Sequence, residues 1–359
     1  MSLAFALLLG LAPQTVSADE ALRARLDVGM AAYVASLDED QAESAFYDFD
    51  DDERFDLRLA PLGLEGLRID EMTDAQWAAL EGLLGGVLSP SGLEKMNTIR
   101  SLEREVADTE NGFFGFLMDR IRLPGRYFLA LFGEPGPGSP WGFRFDGHHL
   151  SMNVTSIPNA KLSATPLFFG GQPRVVPADL PRAGLRVLAD EEELAVAFLN
   201  GLTKAERAVA ALPWIEGSAI NRPMSISEDV DLVLPAPSGL RRSDLDDASR
   251  ERFDSLVDVL LGNYQTAIAD ELRSGLRGNH GPVTFVYAAA VDGDAEAAGE
   301  APVESGKALY YRIQGGGLSI EFDDTAVAAD HIHLVYRHPE GDFGRDLLAE
   351  HLAESDHSK

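Results

Sequence analysis

WGFRFDGHHLSMNV, residues 141–154, sets apolar-rich arms on either side of Asp146-Gly147, and its reading decides the fold class. Asp-Gly supplies the positive φ that both central residues of a type I′ turn need, so the segment reads as a β-hairpin. A two-residue turn at Asp146-Gly147 fixes the register: Phe145 faces His148, Arg144 faces His149, and Phe143 faces Leu150. Because side chains alternate between faces of a strand, one face carries Trp141, Phe143, Phe145, His148, Leu150, Met152 and Val154. The other carries Arg144, His149, Ser151 and Asn153. The two adjacent histidines are therefore expected to do different work. His148, on the apolar face, reads as a hydrogen-bonded core histidine. His149 stands across from Arg144, whose fixed charge disfavours imidazolium, and neutral imidazole is the metal-binding form. Plain solvent-facing surface is the alternative for that face.

A second strand carries the same kind of information. In AADHIHLVYRH (328–338), His331, His333, Val335 and Arg337 share one face while Ile332, Leu334 and Tyr336 form a core face. Histidines at i and i+2 of a strand bring two rings to one side, a recurring metal-ligand spacing. The preceding strand, LSIEFD (318–323), points Leu318, Ile320 and Phe322 inward and leaves Ser319, Glu321 and Asp323 on the polar face. Histidines plus one carboxylate, with open positions for water or substrate, suit a divalent transition metal: Zn, Mn, Fe or Cu. The candidate mononuclear site is thus His149, His331 and His333, with Glu321 as fourth ligand or base. Arg144, Arg312 (in YYRIQ, 310–314) and Arg337 are candidates for holding an anionic substrate group, ion pairing being the other fate of an arginine. Glu321, Arg337 and Arg144 are the candidate catalytic residues. In EGDFGRDLLAEHLAE (340–354), Asp342 and Asp346 offer second acceptors for ligand histidines, and His351 offers a further inward ring.

Working outward, helical periodicity marks 21–37, Asp38-Glu39-Asp40 interrupts it, and the acidic YDFDDDERFD (47–56) reads as a solvated turn, since it lacks the ligand spacing of a calcium loop. Helices are expected from Thr73-Asp74 to Leu84, from Ser89-Pro90 past Glu105, over 190–212, and over 250–272. GEPGPGSPWG (133–142) is a Pro/Gly loop, and DGDAEAAGEAPVESG (292–306) an acidic loop. Strands are expected at 283–288, 309–314, 318–323 and 331–336. Strands and helices without regular alternation predict an α+β fold: a helical N-terminal part packed on a mainly antiparallel sheet that holds the Gly-His-His hairpin and a C-terminal His-Ile-His strand.

Composition narrows the function classes. The chain has 359 residues, 59 acidic against 30 basic side chains, a formal charge of -29, and no cysteine. Such a surface repels nucleic acid and anionic lipid, and the absence of cysteine excludes disulfides, thiolate ligands and a thiol nucleophile. No later segment has the roughly 18 unbroken apolar residues of a membrane span. Residues 1–18 read as a signal peptide, with an apolar run at Leu3 to Leu11 and small residues at Val16-Ser17-Ala18; a buried N-terminal helix is the alternative, because the run has no preceding Lys or Arg. The expectation is a periplasmic or secreted protein with one α+β domain over 19–359. Nucleotide-binding glycine loops and the Gly-x-Ser-x-Gly elbow are absent.

The segments WGFRFDGHHLSMNVT (141–155), YYRIQGGGLSIEFDD (310–324) and DHIHLVYRHPEGDFGRDLL (330–348) resemble the uncharacterised family called domain of unknown function 3500. LSPSGLEKMNTIRSLE (88–103) and GRYFLALFGEPG (125–136) are also similar to it. The resemblance implies a single long domain common among exported proteins, and no particular activity. This chain differs from the family pattern at Asp330, where Asn precedes His-Ile-His, and at His338, where an acid follows the arginine. The leading reading is a metal-dependent hydrolase or oxidoreductase acting on a small molecule, anionic in one version. A non-catalytic periplasmic metal carrier and an anion-binding module built on Arg144, Arg312 and Arg337 are the alternatives.

Overall fold

Two long stretches of alternating side chains, one in each half of the chain, become the two halves of a single sheet. The computed structural model describes residues 18–57, 63–107, 126–158, 162–213, 232–278, 281–290, 301–326 and 329–345; residues 1–17, nearly all of the segment expected as a leader, and most of the acidic loop expected at 292–306 lie outside them. Among the described residues there are eight α-helices and twelve strands, an α+β fold. The helices are α1 (Ala18–Val34), α2 (Glu39–Ala45), α3 (Asp74–Val87), α4 (Pro90–Ala107), α5 (Ala189–Gly201), α6 (Lys204–Ala210), α7 (Asp247–Leu261) and α8 (Thr266–Arg277). The strands are β1 (Phe46–Tyr47), β2 (Leu67–Arg68), β3 (Phe128–Gly133), β4 (Trp141–Gly147), β5 (Leu150–Ser156), β6 (Leu162–Ser163), β7 (Leu167–Gly171), β8 (Leu240–Arg241), β9 (Thr284–Ala289), β10 (Leu309–Gly315), β11 (Leu318–Ala326) and β12 (His331–Arg337). No helix among the described residues is long and apolar enough to cross a membrane.

The sheet order is β1-β3-β4-β5-β7-β12-β11-β10-β9-β8, with β2 beside β3 and β6 beside β5. Every pairing is antiparallel except β1 with β3. Strand β7 joins the halves: it pairs with β5 on one side and with β12 on the other. The sequence reading did not include β7, a five-residue, fully buried run with no polar alternation. One face of the sheet packs on the helices through a large apolar core that includes Phe143, Phe145, Ile332, Leu334 and Tyr336. The opposite face is buried but mixed: a small apolar group of Leu57, Phe168, Tyr310 and Val335 lies there with Arg144, Asp146, Ser151, Glu321, Asp323 and Arg337.

Several expectations need correction. The hairpin turn is not Asp146-Gly147. Gly147 pairs with Leu150, so the turn is His148-His149, and Arg144 faces Asn153 while Phe145 faces Met152. The strand is thus longer by two residues than the Asp-Gly signal suggests. The division of strand residues between faces survives, because a shift of two keeps parity. The run expected as one helix over 190–212 breaks between Gly201 and Lys204, where Thr203 forms a reciprocal cap with Glu206 and starts α6. The run over 250–272 breaks between α7 and α8, where Asn263 donates to Leu260 O and accepts Ser89 N–H on its own carbonyl. Asp38 does not merely interrupt a helix: it caps α2, paired with Gln41. In the acidic stretch, Arg54 is buried between Phe49 and Phe55 (4.3 and 4.2 Å from the ring centroids) and donates to Phe343 O at 2.6 Å, so this turn packs against the body rather than lying free in solvent.

Candidate metal centre

His149 comes from the β4–β5 turn and His331 and His333 from β12, and β7 lies between those elements. The three rings converge. His149 Nε2 lies 2.7 Å from His331 Nε2, and His333 Nε2 lies 3.0 Å from the same atom. One ligand nitrogen from each residue falls within 4.8 Å of the other two. A ring nitrogen carries one proton or one lone pair, so His331 Nε2 cannot pair fully with both neighbours through protons. A single cation accepts all three lone pairs at once. For metal–nitrogen bonds of about 2.05 Å, ligand nitrogens stand about 2.9 Å apart at 90° and about 3.3 Å apart in a tetrahedron. The two short spacings lie within about 0.2 Å of the 90° value, and a tetrahedral arrangement would need the rings to spread further.

The backbone holds this arrangement from both sides. His149 takes φ 61°, left-handed for a residue with a side chain, at the second position of the turn. Tyr127 Oη–H donates to His148 O at 2.9 Å, and the Gly170 N–H donates to His149 O at 2.8 Å. Gly170, in β7 and paired with His333, leaves little room for a side chain: a Cβ there would stand 3.0 Å from His149 Cδ2, 3.1 Å from His333 Cδ2 and 3.1 Å from Ile332 O, so those neighbours would have to give way. The turn preceding β12 is clamped by Arg174, whose backbone N–H reaches Asp330 Oδ1 at 3.1 Å, whose Nε–H reaches Ala329 O at 3.0 Å, and whose guanidinium pairs with Glu192 at 2.9 Å. An asparagine at 330 has an equivalent acceptor, so the departure at Asp330 leaves this clamp intact.

Burial is graded across the site. His149 is buried, while His331 and His333 are intermediate, so the centre has a side turned toward solvent. Burial, followed by the neighbouring His331, His149 and His148, holds the His333 imidazole well below its usual range and favours the neutral, ligating form. Phe168 packs on His333, with ring centroids 5.2 Å apart. His148 is not the core histidine the sequence suggested. It is partly exposed and lies against His149, with ring centroids 3.9 Å apart.

The other candidates fall elsewhere. Glu321 is on the polar face, across from Val335 rather than a histidine, and is not one of the three converging residues. Its carboxylate accepts Tyr310 Oη–H at 3.0 Å and Ser319 Oγ–H at 3.2 Å. Burial, then Glu321 itself, keeps the Tyr310 phenol well above its ordinary range, so it remains a donor. The acid directly across from His333 is Asp323. Arg144 does not face His149: it is fully buried and paired with Asp146 at 2.7 Å and Glu53 at 2.6 Å. Arg337 is paired with Asp342 at 2.6 Å, and Asp342 also accepts the His338 N–H, so this acid orients an arginine and a turn rather than a ligand histidine. Buried charges take such partners because desolvation leaves them no alternative. Asp346 and His351 lie outside the described residues.

Gly170 and Asp323 are the site residues that the sequence reading passed over or ranked second. The signal for Gly170 was the Gly-Gly closing LFFGG, since glycine inside a strand marks close approach by a neighbour. A family model described as "Protein of unknown function (DUF3500)" matches residues 22–345, nearly the whole chain. No curated protein and no solved structure matches.

Proposed function

The chain belongs to this family of unknown function, and we propose that it is a metalloprotein whose His149, His331 and His333 bind one divalent transition-metal ion. The observation that carries the reading is the meeting of three Nε2 atoms from two distant parts of the chain, two of them within 3.0 Å of the third. Imidazole ligands without thiolate suit Zn, Mn, Fe or Cu. Three protein ligands leave at least one position for water or substrate, the arrangement of catalytic rather than closed structural sites. Zn there activates water for hydrolysis; Fe, Mn or Cu supports redox chemistry. The partly exposed His331 and His333 give a small molecule access. The protein is thus a metal-dependent hydrolase or oxidoreductase, and the unbroken sheet supports one domain over residues 19–359. The apolar leader supports export.

The test is to strip the untagged protein with chelator and titrate it with Zn, Mn, Fe and Cu salts. The reading requires saturation at one equivalent with at least one of them, and loss of that equivalent in His331→Ala and His333→Ala proteins that remain folded. Failure of every cation to bind the folded wild type overturns it. N-terminal sequencing of the protein made in cells tests export: a chain starting at Asp19 supports it, and a retained leader contradicts it.

A further inference from the structure

On the helical side of the sheet, away from the histidines, side chains from three distant parts of the chain meet in one buried polar group: Lys95 of α4, Glu191 of α5 and Asn263 at the α7–α8 junction. Lys95 Nζ–H donates to Glu191 Oε1 and, at 2.9 Å, to Asn263 Oδ1. Asn263 Nδ2–H donates to the same Glu191 Oε1 at 3.2 Å and to Tyr336 Oη at 2.9 Å. The Tyr336 hydroxyl gives its own proton to Leu260 O at 2.6 Å, so Asn263 turns its nitrogen to the tyrosine and its oxygen to the lysine. Glu191 and Asn263 are fully buried, whereas the Lys95 side chain is 16% exposed. Glu191 Oε2 is buried with no hydrogen-bond partner among the described residues. The backbone is clamped as well: Ser89 N–H donates to Asn263 O at 3.0 Å and Ser89 Oγ–H to Gly262 O at 2.6 Å. At Gly92 a Cβ would stand 2.1 Å from Asn263 O, so α4 begins in direct contact with the α7–α8 junction. An ion pair needs only the lysine and the carboxylate. Here an amine, an amide carbonyl and a carboxylate that touches both nitrogens form one closed ring of contacts.

We propose that Lys95 and Asn263 join in an intramolecular isopeptide bond, with Glu191 moving the protons. Lys95 Nζ stands no more than about 4.1 Å from Asn263 Cγ, which lies one carbonyl bond of about 1.23 Å behind Oδ1. Attack needs about 3–3.5 Å, a shift within the reach of a lysine side chain. Glu191 takes a proton from Nζ, and the freed lone pair attacks Cγ. The Cγ–Nδ2 bond then breaks as Nδ2 gains a proton through Glu191 and leaves as ammonia. Of the ammonium protons, one stays on the new amide nitrogen, one departs with the ammonia and one remains on Glu191. The buried ammonium and carboxylate end as neutral groups, which removes the cost of holding both charges away from water. The exposed flank of Lys95 gives the ammonia a way out. The bond ties residue 95 to residue 263 in a chain with no cysteine for a disulfide.

Intact mass and peptide mapping of the folded full chain test the assignment, whatever the outcome at the metal centre. The expected mass is that of the sequence, counted from the N-terminus found by sequencing, less one ammonia. Trypsin should fail to cut after Lys95 and should release residues 69–100 and 253–273 as one branched peptide. Lys95→Arg and Asn263→Ala should each restore the ammonia-retaining mass. Glu191→Gln, which keeps the shape and cannot carry the proton, should leave the two peptides separate. Wild type with its full mass and separate peptides overturns the bond. A mass lower by one ammonia without the branched peptide places the loss on another side chain and overturns it equally. A branched peptide formed to completion in Glu191→Gln refutes the role of Glu191. Should that variant not fold, Glu191→Asp, whose carboxylate is drawn back from both nitrogens, takes its place: incomplete bond formation supports the role and complete formation refutes it.

Discussion

Replacing Gly170 by alanine adds one methyl group between two of the three imidazoles. The new Cβ would lie 3.0 Å from His149 Cδ2 and 3.1 Å from His333 Cδ2, with Ile332 O at 3.1 Å behind it. Carbon atoms in good contact are about 3.5–4.0 Å apart, so each ring must retreat by roughly half an ångström. The carbonyl belongs to a paired strand and cannot yield in their place. Metal sites tolerate about 0.2 Å in ligand position. The affinity for the ion should therefore fall by about 10- to 100-fold, the usual cost of disturbing the groups that orient ligands. Overpacking costs about 1–3 kcal/mol, partly offset by about 0.4–1 kcal/mol from restricting the unfolded chain, so the metal-free protein should lose only about 1–2 kcal/mol. The assays are competition with a chromophoric chelator for metal and urea unfolding for stability. Gly171→Ala is the control: a Cβ there meets Ile332 Cγ1 at an ordinary 3.8 Å, and affinity should not change. Wild-type affinity in a folded Gly170→Ala protein refutes the steric argument and the ligand positions on which it rests.

Other consequences follow from buried titratable groups. Since the His333 imidazole is held well below 6.5, the unfolded chain takes up a proton that the folded one resists. The His333 contribution to the stability of the metal-free protein should be constant above about pH 7 and fall as the pH drops through 6.5, approaching about 1.4 kcal/mol per pH unit; the difference between wild type and His333→Asn in urea titrations should show that slope. Asp324 is the opposite case: burial raises its carboxyl to about 8, so the folded protein keeps a proton that the unfolded chain loses near 3.8, a penalty that grows between those two values and is constant above. Asp324→Asn, whose oxygen can still accept the Leu309 N–H, should gain at most about 4 kcal/mol at pH 7 and almost nothing at pH 4; equal gains at both would contradict the assignment. Asp342→Ala removes the buried carboxylate paired with Arg337 and should cost up to about 3–5 kcal/mol in thermal or urea unfolding, while metal stoichiometry in the folded fraction stays that of the wild type.

The fold class and the three histidines were legible in the sequence because alternation is a local property. Ile332, Leu334 and Tyr336 had to face a core, and so His331 and His333 had to share the other side. Side-chain parity likewise kept His149 with the polar residues, although the turn sits two residues later than Asp-Gly indicates. What the sequence concealed is non-local. Strand β7 has no amphipathic pattern, because both of its faces are buried, and it separates the two histidine-bearing elements while spacing them correctly. Without it, Gly170 has no visible purpose, and Glu321 and Asp323 are equivalent acids on one strand. Register alone sets Asp323 across from His333 and Glu321 across from Val335. The fates of the arginines were similarly out of reach, since Glu53 and Asp342 become partners of Arg144 and Arg337 only once the turns carrying them fold back on the sheet.

An X-ray absorption spectrum of the zinc-loaded, untagged protein addresses the central claim most directly, since it reads the ligands of the bound ion. Three imidazole nitrogens at about 2.0–2.1 Å, with one or more lighter oxygen scatterers completing the shell, is the predicted result, and the imidazole signal should drop by one in His149→Ala. A shell of oxygen atoms with one imidazole or none would place the ion elsewhere and contradict the account.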